Sequence, residues 1–79
     1  MTELTEQQTA ILAFERGRWK YAGAKEQAVH ERFGLSLSRY LQTLDHLIDS
    51  PAALAADPPL VNRLRRLREE RQRRRTRAA

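Results

Sequence analysis

FGLSLSRYLQTL, residues 33–44, reads as a turn that runs into an amphipathic helix. Gly34 can take the positive φ that ends one helix, and Ser36 is a residue type that caps the next. Winding residues 36–48 at ~100° per residue puts Leu37, Tyr40, Leu41, Leu44, Leu47 and Ile48 within an arc of about 120°. Ser38, Arg39, Gln42, Thr43 and His46 lie on the opposite side. A period this regular fixes a helix. Whether that helix only closes a core or also reads a DNA groove depends on what surrounds it.

Upstream, Thr5-Glu6-Gln7-Gln8 has the form of a capping box, with Gln8 three residues beyond a Thr N-cap. Ala10, Ile11, Phe14 and Arg18 then share one helical face, widened by Leu12, so helix one is expected over about 6–18. Trp19 and Tyr21 follow in RWKYAG, where a Trp beside a turn in so small a chain is expected to pack into the core. Helix two is expected over about 24–32, with Ala24, Ala28 and Val29 as a narrow apolar face and Gly23 in the turn before it.

Downstream, Ser50-Pro51 and Asp57-Pro58 both fit an N-cap followed by Pro at the first helical position. The first opens the short segment PAALAA. The second opens a helix whose stripe Leu60, Val61, Leu64 and Leu67 is too short for a coiled coil. Beyond about Arg71 the segment is expected to fray until a ligand orders it. The sequence therefore predicts an all-α fold, a small helical bundle with a helix-turn-helix at about 24–48 and a basic C-terminal helix. Residues 1–57 form the core, and residues 58–79 form the helix with its Arg-rich tail.

Charge is unevenly placed. Residues 1–59 carry six Lys/Arg against eight Asp/Glu, a balance of −2. Residues 60–79 carry nine Arg against Glu69 and Glu70, a balance of +7. Arginine forks onto phosphate bidentately, so an Arg run this dense suggests a polyanion partner.

Enzyme chemistry finds no footing. The chain has no Cys, and His30 and His46 fall in different helices with no triad or metal-ligand spacing. Glu26, Glu31, Asp45 and Asp49 read as scattered surface carboxylates, and there is no phosphate-binding glycine loop. No catalytic residue, metal or cofactor is expected. No apolar run approaches the ~20 residues of a membrane span, and the polar start MTELTEQQ does not resemble a signal peptide, so the expected location is cytoplasmic, at the nucleoid.

Recognition remains. In a helix-turn-helix the second helix enters the major groove. Ser38, Arg39, Gln42, Thr43 and His46 are then the candidate base contacts, with Arg suited to guanine and Gln to adenine. Ser36, Arg18, Lys20 and Lys25 are candidate phosphate contacts in the core. Arg63, Arg66, Arg68 and Arg71 continue that set into the last helix, followed by Arg73, Arg74, Arg75 and Arg77. Helix three itself has few cations, so affinity is expected from the arginines and sequence preference from residues 36–48.

LTEQQTAIL (4–12) followed by AVHERFGLSLSRYLQTLDHLI (28–48) resembles the helical DNA-binding domain at the C-terminal end of bacterial sigma factors. It is also similar to the helix-turn-helix of MarR-type regulators, without their β-hairpin wing and flanking dimerisation helices. The likeness implies DNA contacts at Ser36, Ser38, Arg39 and Gln42, whereas His30 stands where such proteins carry a small residue. The whole chain, including RWKYAGAKEQA (18–28), ALAADP (53–58) and RRLR (65–68), resembles a small family of actinobacterial proteins of unknown function. The leading expectation is a small transcription regulator or nucleoid-associated protein that binds duplex DNA. The alternatives are a module that docks on RNA polymerase or a sigma factor, and RNA binding through the tail. The sequence leaves monomer and homodimer both open.

Overall fold

The computed structural model describes residues 3–78, which form five helices and, among the described residues, no strand. The helices are α1 (Glu6–Arg16), α2 (Ala22–Phe33), α3 (Leu37–Leu47), α4 (Pro51–Ala56) and α5 (Pro58–Ala78). The all-α bundle expected from the sequence is the fold observed.

Local chemistry sets most of the boundaries. The capping box is complete: Thr5 Oγ1 accepts the Gln8 N–H at 3.1 Å, and Gln8 Oε1 accepts the Thr5 N–H at 2.8 Å. Helix α1 stops two residues before Arg18, because Gly17 turns extended (φ −71°, ψ 162°) and its N–H bonds Phe14 O at 3.1 Å. Helix α2 begins earlier than expected, at Ala22, which puts Gly23 inside its first turn. Between α2 and α3, Gly34 adopts φ 67°, its N–H bonds His30 O at 2.9 Å, and Ser36 Oγ accepts the Arg39 N–H at 3.2 Å. Ser50 caps α4 through the N–H groups of Ala52 and Ala53, and Asp57 accepts the Leu60 N–H at the start of α5.

The core draws on every helix. Ile11, Leu12 and Phe14 meet Val29, Tyr40, Leu44, Leu47, Ile48, Ala53, Leu60, Val61 and Leu64. Phe14 is its aromatic hub, with ring centroids 5.4 Å from Trp19, 5.5 Å from Phe33 and 5.9 Å from Tyr40. Trp19 does not enter the interior as expected. It leans on Phe14 from outside and stays 40% exposed, because the short α1–α2 loop carries it over the surface. Helix α2 packs on α3, and α1 and α4 both pack on α5. None of the described helices is long and apolar enough to cross a membrane.

Helix α5 differs from the sequence expectation. Fraying is expected beyond Arg71, yet the helix continues to Ala78. At ~1.5 Å per residue its 21 residues span about 32 Å, against a longest molecular extent of 40 Å. Its distal residues are mostly straight-chain Arg, Glu and Gln, which lose little side-chain freedom in a helix. Glu70 also stands four residues before Arg74, at 4.0 Å, in the favourable order for such a pair.

Candidate nucleic-acid interface

The orientation of α3 is fixed from beneath by a buried carboxylate. Glu15 is only 4% exposed. Its Oε2 accepts a hydrogen bond from the Tyr40 hydroxyl, and its Oε1 accepts one from Lys25 Nζ at 3.1 Å. The Glu15 carbonyl accepts a further bond from Arg63 Nη2 at 3.1 Å. One residue of α1 thus ties together α2, α3 and α5. Burial, and next the bond to Glu15, push the Tyr40 phenol far above its ordinary range, so it stays a donor. The sequence reading missed Glu15, although its place beside Phe14 and four residues after Ile11, on the apolar side of α1, is a visible signal. The same bond commits Lys25, an expected phosphate contact, to a structural role.

The outer side of α3 is as expected. Ser38, Arg39, Gln42 and His46 are exposed, and Thr43 is half-buried with its hydroxyl donating to Arg39 O at 2.9 Å. Ser36 uses its hydroxyl as the helix cap. His30 is exposed on α2 and lines a surface groove with Leu35 and Leu37, so the α2–α3 crossing has room for its imidazole.

The arginines of α5 fall into two sets. Successive turns at ~100° per residue place Leu60, Leu64, Arg68, Arg71 and Arg75 on one side of the helix. The buried apolar stripe is therefore continued by guanidinium groups, and α3 meets them in antiparallel order. Arg65 Nε donates to Ile48 O at 2.7 Å. Arg68 grips Asp49 with both terminal nitrogens, at 2.9 and 3.2 Å, and also donates to Asp45 O at 3.1 Å. Arg71 Nη2 reaches Asp45 Oδ1 at 3.4 Å. One turn further, Arg75 and Gln72 line a groove opposite Ser38, Leu41 and Gln42.

Arg66 and Arg73 lie roughly 180° around α5 from this face and are exposed. Arg18 and Lys20 are exposed in the α1–α2 loop, with the Lys20 ammonium 5.7 Å from the Tyr21 ring centroid, and neither lines the α3–α5 groove. The expected contact at Arg77 lies outside the described side chains.

Asp45 and Asp49 are thus not the scattered carboxylates they resemble in the sequence. The Arg68 hydrogen bond holds the Asp49 carboxyl below the ordinary carboxylate range. Asp57 is held down likewise, chiefly by Arg16 Nε at 2.7 Å. Of the arginines expected to meet phosphate, Arg63 and Arg68 serve the fold and Arg71 is shared. Among the described residues, no three His, Asp or Glu side chains gather where one metal ion could touch them all.

No curated protein and no solved structure matches the chain, so the likeness of residues 4–12 and 28–48 to sigma-factor and MarR-type domains has no counterpart in these comparisons. A family model does match, over residues 3–76, nearly the full length. The chain belongs to the DUF3263 family, proteins of unknown function.

Proposed function

We propose that this protein binds duplex DNA through the outer side of α3 together with the adjoining face of α5, as a small transcription regulator or nucleoid-associated protein. The observation that carries this reading is the α3–α5 groove, where Ser38 and Gln42 stand opposite Arg71, Gln72 and Arg75. Side chains able to read base edges and side chains able to hold phosphate share one surface. Arg39 and His46 extend that surface on α3.

The placement of α5 also bounds the electrostatics. If all nine arginines of residues 60–79 met phosphates, the slope of log K against log salt would approach about −8, using ~0.9 per phosphate. With Arg63, Arg65 and Arg68 committed internally and Arg66 and Arg73 on the far side of α5, four of the nine remain, which limits the slope to about −4.

Fluorescence anisotropy on labelled duplexes of varied sequence tests the reading. Arg39→Ala and Gln42→Ala should reduce the preference among duplexes and leave the salt slope nearly unchanged. Removing residues 72–79, which spares the Arg68 and Arg71 contacts, should weaken binding to every duplex and flatten the slope. Binding to RNA but not to duplex DNA would replace this reading with RNA recognition through α5. Binding to neither would exclude nucleic acid altogether.

A further inference from the structure

We infer that Arg71 and Arg75 form a seat for one stretch of phosphodiester backbone, and that Asp45 occupies part of that seat in the free protein. The inference rests on the duplex-binding reading and adds to it a built-in competitor.

The face that α5 turns toward α3 is graded. Arg68 is held by Asp49 through both terminal nitrogens and by the Asp45 carbonyl, and its side chain is 20% exposed. Arg71 has one contact, 3.4 Å long, with both partners near the surface, at 45% exposure for Arg71 and 39% for Asp45. Arg75 stands one turn on, in the groove it shares with Ser38, Leu41, Gln42 and Asp45, and it makes no ion pair with a carboxylate among the described residues. The guanidinium groups run from locked, through loosely held, to one with no ion pair among the described residues, toward the N-terminal half of α3.

A half-exposed single ion pair contributes little to stability, so exchanging its carboxylate for a phosphate costs the fold little. A phosphate diester offers Arg71 a bidentate partner that Asp45 does not supply. Asp45 then returns to water, while its carbonyl stays bonded to Arg68. The carboxylate left beside the seat repels the incoming strand and lowers affinity in the natural chain.

Anisotropy with a short labelled duplex tests this on the full-length chain, with thermal melts by circular dichroism confirming that each variant is folded. Asp45→Asn should bind more tightly and steepen the salt slope by about 0.9, which makes its gain roughly three to four times larger at about 50 mM than at about 200 mM salt. Arg75→Ala should bind more weakly, with a slope shallower by about 0.9. The gain from Asp45→Asn should shrink when Arg71 is already Ala, because no guanidinium is left to release. An equal gain in both backgrounds would show that only net charge matters and would overturn the seat, as would no gain at all. In either case the natural chain's own binding to the duplex would leave the broader reading standing. Failure of the natural chain to bind duplex DNA at any salt would overturn both.

Discussion

Glu15 and Tyr40 show what a single residue contributes here. Position 40 reads as apolar from its place on the α3 stripe, and it is fully buried. Its hydroxyl, however, has one task, donating to a carboxylate that burial would otherwise leave poorly satisfied. Tyr40→Phe keeps the ring contacts with Phe14 and Phe33 but removes that donor. Hydrogen bonds to charged groups contribute ~1.5–3 kcal/mol, so urea denaturation at neutral pH should show a loss of about that size. A loss below about 0.5 kcal/mol would mean that Lys25 or water satisfies Glu15 alone. Caps such as Thr5, Ser36 and Ser50 were legible in the sequence because each acts on backbone two or three residues away. Glu15 was not read, because its partners lie 10 and 25 residues on in the chain.

At the scale of the helix, α3 was readable and α5 only half so. The α3 period is complete, and its two sides lie where the pattern puts them. On α5 the leucines mark the docked side as far as Leu64, and Leu67 is already half-exposed. Beyond them the docked side is built from Arg68 and Arg71, which in a sequence cannot be told from solvated cations. Their partners, Asp49 and Asp45, are identified only once α5 is known to run antiparallel to α3.

This pairing has a consequence in acid. Asp49 and Asp57 are both held below the ordinary carboxylate range in the folded chain, so the unfolded chain takes up their protons first as the pH falls. The stability they add is complete above the unfolded-state value of about 3.9 and is lost as pH falls through the folded values. Thermal melts from pH 7 downward should therefore show the midpoint falling below about pH 4. Asp49→Asn should start from a lower midpoint at pH 7 and fall less over the same range. A fall as steep as that of the natural chain would mean that the Arg68 pair is not the source.

For the whole molecule, α5 runs unbroken to Ala78, packs on α1 and α4, and is tied to α3 by arginine hydrogen bonds. Composition locates the positive charge in residues 60–79, but it does not show that part of that charge is neutralised internally or that the remainder points in two directions. The element order, the Gly34 turn and the all-α class follow from local patterns, whereas the site depends on how two distant helices are set side by side. The central claim is that α3 and α5 meet a duplex together. Amide chemical shifts of the isotopically labelled chain, followed by NMR during titration with duplex DNA, test it directly. The largest changes should fall jointly on residues 36–42 of α3 and 71–76 of α5. Changes confined to α5, with residues 36–42 unmoved, would contradict it and leave α3 as a purely structural helix.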